Sequence, residues 1–368
     1  MKTEINKELY GMLLPYIEDD NVTDIKWNGT TLWINDLTKG RYMVKNKETG
    51  EPTKLDTDWL NIFLTRIANS VNENFNISEP SLKAETKDLR IQAEHRSVAG
   101  DDTFALAIRK TPNVSRLANQ DLVATGYANE LVFKLLPCLM HARLSGVITG
   151  DVGSGKTELS KYLCGFIPPL DGIITVEDTL EMRLKEIYPE KDIYSMRITD
   201  QFTAEAAIAD ALRLLTKWLI LSEARGREIA RIMEGASTGC TALTSIHAEN
   251  TWEIPDRIMN MVGENAHAGF ENDVYNFFDY AIKVKAKITD SGITRSIDQI
   301  SFFDRNDGVN SIVVFLEDGK LTGQRIPKRI EKKFLANKED EFMNLYERAI
   351  RAMQSNALDE ADRKELCD

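Results

Sequence analysis

Residues Gly150-Asp151-Val152-Gly153-Ser154-Gly155-Lys156-Thr157 satisfy the pattern G-x-x-x-x-G-K-[ST], and an apolar run, residues 145–149, precedes them as a strand would. Glycines at this spacing let successive backbone N–H groups turn toward one point. A helix opening at the end of the loop adds its positive dipole end, so the segment suits a polyphosphate. In that chemistry Lys156 reaches the β- and γ-phosphates, and the Thr157 hydroxyl holds Mg²⁺ together with phosphate oxygens. Glu158 follows directly, in the first turn of the expected helix. The plain alternative is a glycine-rich turn with a solvated lysine.

Three further β-rich runs end in groups able to act on a bound phosphate. Residues 172–177 end at Glu177, residues 218–222 lead to Glu223, and residues 241–246 lead to His247. Strands alternating with helices, each strand ending in a polar or charged group, describe a parallel sheet with its ligand at the carboxyl edge. The helices between them are expected over residues 130–143, after the phosphate loop, and over residues 204–215.

The segment before this core has a different pattern. Ile25 and Trp27, then Leu32 and Ile34, alternate around Asn28-Gly29-Thr30-Thr31, which predicts a hairpin. Leu60, Phe63, Leu64, Ile67 and Val71 recur at helical spacing, and residues 90–93 and 103–109 read as two more strands. Pro112 and the polar stretch 111–120 mark a boundary. The expected organisation is an α+β domain over residues 1–112, a linker over 113–128, an α/β nucleotide-binding domain over 129–330 and a helical tail over 331–368. Within the α/β domain, residues 281–288 and 293–303 flank Asp290-Ser291-Gly292, a hairpin signal, and residues 312–316 form another strand. In the tail, Phe342, Leu345, Tyr346, Ala349 and Met353 make an amphipathic helix without chemistry of its own.

The 368 residues carry 58 Asp and Glu against 46 Lys and Arg, a net charge of −12, which argues against a general binder of nucleic acid or of anionic membrane. Cys138, Cys164, Cys240 and Cys367 lie far apart without a C-x-x-C pair, so reduced thiols are expected rather than a zinc site or disulfide framework. There is no run of 18 apolar residues and no leader-like start, and the expectation is a protein that neither spans a membrane nor is exported.

Four blocks stand in a fixed order: residues 150–157; Val176-Glu177-Asp178-Thr179-Leu180-Glu181-Met182-Arg183-Leu184; Trp218-Leu219-Ile220-Leu221-Ser222-Glu223-Ala224-Arg225-Gly226; and Thr238-Gly239-Cys240 through Thr244-Ser245-Ile246-His247-Ala248. They resemble the Walker A, Asp-box, Walker B and His-box of the bacterial type II/type IV secretion and pilus-motor ATPases. Asp24-Ile25, Asn28-Gly29, Glu79-Pro80, Asp88-Leu89-Arg90-Ile91 and Ile108-Arg109-Lys110 resemble the tight-adherence (CpaF-like) and conjugation-system branch. The resemblance spans roughly residues 20–320. Glu158 stands where the family often has Thr, Ser222 stands where Gly commonly precedes the Walker B Glu, and the tetracysteine zinc site of the type II branch is absent.

The resemblance implies a RecA-like P-loop core behind a smaller α+β domain, assembled as a homohexamer with ATP between the two domains. Glu177 would polarise the attacking water, Asp178 and Glu181 would order Mg²⁺ and its waters, and Glu223 would be the acid near the metal. Thr157, Asp178 and Glu223 are thus the metal candidates. A solvated carboxylate edge is the alternative for that cluster. His247 would lie near the γ-phosphate or couple nucleotide state to the neighbouring domain, and Arg183 and Arg225 would orient the loops. Arg90 and Arg109 match positions whose guanidinium groups reach the nucleotide, with Arg96 a weaker match; strand arginines facing water are the alternative. The implied function is a cytoplasmic ATPase, peripheral at the membrane, that works with inner-membrane platform proteins of a secretion, pilus or conjugation machine without direct nucleic-acid binding. Two other classes stay open: a RecA-like motor translocating nucleic acid, and a nucleotide-gated scaffold with little turnover.

Overall fold

The hydrophobic alternation near the amino terminus folds into an antiparallel sheet. The computed structural model describes residues 6–289 and 292–354, and these fall into two units, Met1–Asn113 with Lys287–Thr294, and Val114–Ala286 with Arg295–Asp368. In the first unit a short helix α1 (Leu14–Glu18) leads into β1 (Val22–Trp27), β2 (Leu32–Asp36) and β3 (Gly40–Met43). Helix α2 (Thr57–Ser70) follows, then β4 (Ser81–Glu85), β5 (Leu89–Glu94) and β6 (Ala105–Lys110). The sheet order is β3-β2-β1-β6-β5-β4. Asp56 starts α2 by accepting the Trp59 N–H at 2.7 Å. The helix then buries Leu60, Phe63, Leu64 and Ile67 in one core with Ile25, Ile34, Ile91 and Ile108 of the strands. Strands β3 and β4 carry no local signal strong enough to stand out. Ser81-Leu82-Lys83-Ala84-Glu85 does alternate, but with residues of low strand propensity.

Because strand residues alternate in direction, burying Ile91 and Ile108 turns Arg90 and Arg109 to the other face. There the register sets Asp24, Arg109, Arg90 and Glu85 in one row across four strands. Two guanidinium groups directly opposite each other are unfavourable unless flanked by acids, as they are here.

The second unit is the α/β core. Helix α3 (Glu130–His141) leads to β7 (Gly146–Thr149) and α4 (Lys156–Cys164), then β8 (Ile173–Glu177), α5 (Leu184–Ile187) and β9 (Ile193–Arg197). Helix α6 (Ala204–Ala211) precedes β10 (Trp218–Leu221), and α7 (Glu228–Ser237) precedes β11 (Thr241–Ser245). Helices α8 (Ile254–Val262) and α9 (Phe270–Phe277) are followed by β12 (Tyr280–Thr289), β13 (Gly292–Asn306), β14 (Val309–Glu317) and β15 (Lys320–Leu321), and then by α10 (Lys328–Ala336) and α11 (Asp340–Gln354). The sheet order is β15-β14-β13-β12-β7-β11-β10-β8-β9, with parallel pairing from β12 to β9.

Both faces of the parallel strands are covered, so β7, β8, β10 and β11 are buried throughout, and β10, Trp218-Leu219-Ile220-Leu221, is apolar at every position. Ile148, Ile173, Ile220 and Leu243 face a core that includes Leu135 of α3, Leu159 and Leu163 of α4, Phe334 of α10 and Tyr346 of α11. Val147, Ile174, Leu219 and Ala242 face the opposite core with α6 to α9. The expected tail helix is thus part of this unit's packing, where Phe342, Tyr346 and Ala349 are buried. Asp290 and Ser291 of the hairpin signal, and Cys367, lie outside the described residues. Cys138, Cys164 and Cys240 are free and buried. Among the described residues no helix is long and apolar enough to cross a membrane.

Candidate functional site

Strand β7 ends at Thr149, whose side chain is fully buried because it is latched to the segment after β11: its Oγ1 donates to Ala248 O at 2.8 Å and accepts from Ala248 N at 3.0 Å. The loop that follows begins at Gly150 with φ +143°, and a Cβ there would stand 2.2 Å from the carbonyl oxygen of Val284 on β12. Only glycine fits, since a backbone carbonyl within a sheet cannot retreat. Gly155, φ +105°, closes the loop as the cap residue of α4. Lys156 folds back over the loop and donates from Nζ to Gly150 O at 2.7 Å and Asp151 O at 3.2 Å. Partial burial lowers the proton affinity of this ammonium, opposed by the charges of Glu223 and Asp151. The Ser154 hydroxyl is buried in the loop with no hydrogen-bond partner. An orphaned hydroxyl, a lysine without a carboxylate bonded to it and a helix N-terminus together fit a phosphate chain. Val152 is exposed at the loop tip and Thr157 is half-buried at the first turn of α4.

The adjoining strand ends bring the acids. Ser222 N donates to Val176 O and Ser245 Oγ donates to Ser222 O at 2.7 Å, so β8, β10 and β11 end in register. Just beyond them His247 Nε2 stands 3.1 Å from Glu223 Oε1, Arg225 Nη2 stands 2.8 Å from Glu223 Oε2, and Arg225 Nη1 stands 2.9 Å from Asp178 Oδ2. Ser222 Oγ donates to Asp178 at 3.3 Å, and Glu228 accepts from the backbone N–H groups of Arg225 and Gly226. Burial would raise the Glu223 carboxyl, yet Arg225, His247 and Lys156 together hold it below its ordinary value. Lys156, Glu223, Asp178 and His247 therefore share one electrostatic environment. Asp178 and Glu223, with the Thr157 hydroxyl, are hard oxygen donors of the kind Mg²⁺ takes, and the Arg225 guanidinium lies between the two carboxylates as a cation in that place.

Glu177 differs from the expectation. It is only 1% exposed, turned inward at the end of β8, where its oxygens accept from Thr175 Oγ1 at 2.8 Å and from Met182 N at 2.9 Å. Burial pushes its carboxyl up to about 7. In this conformation it anchors the loop 178–183 and meets no solvent, whereas Glu181 on the same loop is half-buried. The apolar face of β8 hides this in the sequence: position 177 continues the alternation of Ile173 and Thr175 toward α4. Glu158 likewise turns away from the loop mouth, bonded to Arg116 N at 3.2 Å and to the buried Lys161 Nζ at 2.9 Å.

Arg90 and Arg109 lie in the first unit, exposed on their strands, with Arg109 Nε 2.9 Å from Asp24 Oδ1. Arg96 stands 3.8 Å from Asp102. Two contributors carry no local signal: Thr149, hidden in an apolar strand, and Arg295 of β13, whose Nε and Nη2 reach Gly153 O at 3.4 and 3.2 Å.

The family model described as Type II/IV secretion system protein matches residues 81–291. An uncharacterized protein of Bacillus anthracis is 27% identical over 289 residues, which cover 76% of this chain and 64% of that protein. The protein VirB11 of Agrobacterium fabrum is 30% identical over 145 residues, 38% of this chain and 42% of that one. The chain thus spans about two fifths to two thirds of the length of these relatives. Among solved structures, the ATPase DotB of Legionella pneumophila matches at TM-score 0.60 and 15% identity, over 95% of this chain and 89% of that chain. The pilus retraction motor PilT with bound ADP matches at TM-score 0.54 and 16% identity, over 98% and 97%. At these identities the structural matches speak for the fold.

Proposed function

Because the chain belongs to the type II/IV secretion system protein family, we propose that it is a Mg²⁺-dependent ATP hydrolase, a hexameric motor working at the cytoplasmic face of a membrane-embedded secretion, pilus or conjugation machine. The observation that carries this reading is the convergence of Lys156, Glu223, Asp178 and His247 at the carboxyl edge of β7, β10, β8 and β11. Phosphoryl transfer needs a cradle, neutralising cations and an oriented water more than covalent chemistry.

In this reading the loop 150–157 holds the phosphate chain, and Lys156 leaves the carbonyls of Gly150 and Asp151 for phosphate oxygens, where a charge-assisted bond is stronger. Thr157, Asp178 and Glu223 would hold Mg²⁺, which would supply positive charge to neutralise the phosphate chain. Arg225, now paired with Asp178 and Glu223, would have to give up both carboxylates for them to serve as ligands. His247, 3.1 Å from Glu223, would report that change to the segment after β11. The sealed position of Glu177 favours a positioning role, holding the loop that presents Asp178 and Glu181. The water-polarising carboxylate is then Glu181.

The test is steady-state Mg–ATP hydrolysis, with mass by light scattering on the same samples. The reading predicts a particle near six subunits whose turnover falls about a hundredfold or more in Glu181→Gln, the scale of a lost acid–base group, with nucleotide binding kept. A monomer that binds ATP without turnover would contradict it. Full activity of Glu181→Gln together with an inactive Glu177→Gln would return the water to Glu177.

A further inference from the structure

Arg295 lies against the outer side of the phosphate loop. Its Nε and Nη2 converge on Gly153 O at 3.4 and 3.2 Å, and its Cδ is 3.2 Å from where a Cβ on Gly155 would stand. The strand that carries it is fixed here, since Ile297 N donates to Tyr127 O at 2.8 Å. The loop, by contrast, is not held at Gly153 by packing: φ is +78° and nothing lies within 4 Å of its Cβ position. Glycine in open space has the most conformational freedom to lose. The carbonyl of Gly153 and the N–H of Ser154 belong to one planar trans peptide and point in opposite directions. Holding the carbonyl outward therefore fixes the direction of the Ser154 N–H, which closes a turn on Asp151 O at 3.1 Å within the loop.

We propose that Arg295 is a positioning residue that pre-organises the phosphate loop, pinning the Gly153 peptide and packing its stem on Gly155 so that the cradle keeps its shape before a polyphosphate enters. The proposal rests on the reading of residues 150–157 as a polyphosphate site. It assigns Arg295 no contact with the reacting atoms. A cradle that must be ordered on binding loses affinity, whereas a formed one does not.

The experiment compares wild type, Arg295→Gln and Arg295→Lys for equilibrium binding of fluorescently labelled Mg·ADP, displacement by inorganic pyrophosphate, turnover at saturating ATP and thermal midpoint. The expected result is a loss of about tenfold in affinity for both Mg·ADP and pyrophosphate in Arg295→Gln, the size of one charged hydrogen bond. Arg295→Lys, which can still donate to the carbonyl, should recover most of that loss, and kcat should stay within twofold of wild type with an unchanged thermal midpoint. Unchanged affinity in Arg295→Gln would overturn the proposal, as would a fall in kcat with affinity kept, which would place Arg295 on the reacting groups. A lower thermal midpoint in both variants, with no recovery of affinity by lysine, would also overturn it as a fold effect. Wild type that binds neither ligand would defeat the polyphosphate reading itself; wild type that binds, beside an equally competent Arg295→Gln, defeats only the role of Arg295.

Discussion

Replacing Glu177 by Gln tests the most unusual group at the site. Its carboxyl is buried and pushed from an ordinary 4.5 to about 7, because removal from water outweighs the bonds from Met182 N and Thr175. Below pH 4.5 the group is protonated both folded and unfolded, and it adds no pH dependence. Between about 4.5 and 7 the unfolded chain releases the proton while the folded one keeps it, so stability falls as pH rises and levels off above about 7. At about 1.36 kcal/mol for each tenfold in proton affinity, the full loss is about 3 kcal/mol. Glutamine mimics the protonated acid: its oxygen can accept from Met182 N, and its amide can donate to the Thr175 hydroxyl. Denaturant unfolding of wild type and Glu177→Gln across pH 4 to 8 should give curves that diverge through pH 4.5 to 7, with the variant the more stable at pH 8 by about 3 kcal/mol. Parallel curves would show that the folded carboxyl titrates like the unfolded one and would rule out this shift.

Two further outcomes follow from the same geometry. Arg225→Ala frees Asp178 and Glu223 of their resident cation, so the Mg²⁺ concentration that half-saturates nucleotide binding should fall several-fold; a titration of Mg²⁺ at fixed ADP checks it, and an unchanged or higher requirement would count against Asp178 and Glu223 as metal ligands. Gly150→Ala drives a methyl onto the Val284 carbonyl and strains φ +143°; it should destabilise the fold by roughly 2–4 kcal/mol and abolish Mg·ADP binding, read by thermal unfolding and fluorescence titration.

The central parallel strands β7, β8, β10 and β11 were legible because they are short buried runs of apolar and β-branched residues, each leading into a conspicuous polar residue. Residues 218–222 and 241–246 became β10 and β11 to within a residue. Strands β3, β4 and β9 and helices α7 to α9 were not legible in this way. Ile193-Tyr194-Ser195-Met196-Arg197 is an edge strand whose burial alternates weakly, and nothing local separates it from a loop. Side-chain direction was the other gap. Glu177 and Asp178 are neighbours in an acidic run, yet the pleat sends one into the core and the other to Arg225. Only the packing of α4 on β8 decides which. Arg225, named from the resemblance as an orienting group, gained its role from two distances. Arg295 is 142 residues from the loop carbonyl that it holds, a separation that no local pattern bridges.

Whether this carboxyl edge hydrolyses Mg–ATP, as proposed, is decided by phosphate release under multiple turnover from wild type and Lys156→Ala at saturating Mg²⁺ and ATP. Wild type should release phosphate continuously and Lys156→Ala none above background, because its cradle lacks the cation for the β- and γ-phosphates. Equal release by the two proteins, or none by wild type while it binds ATP, would contradict the proposal.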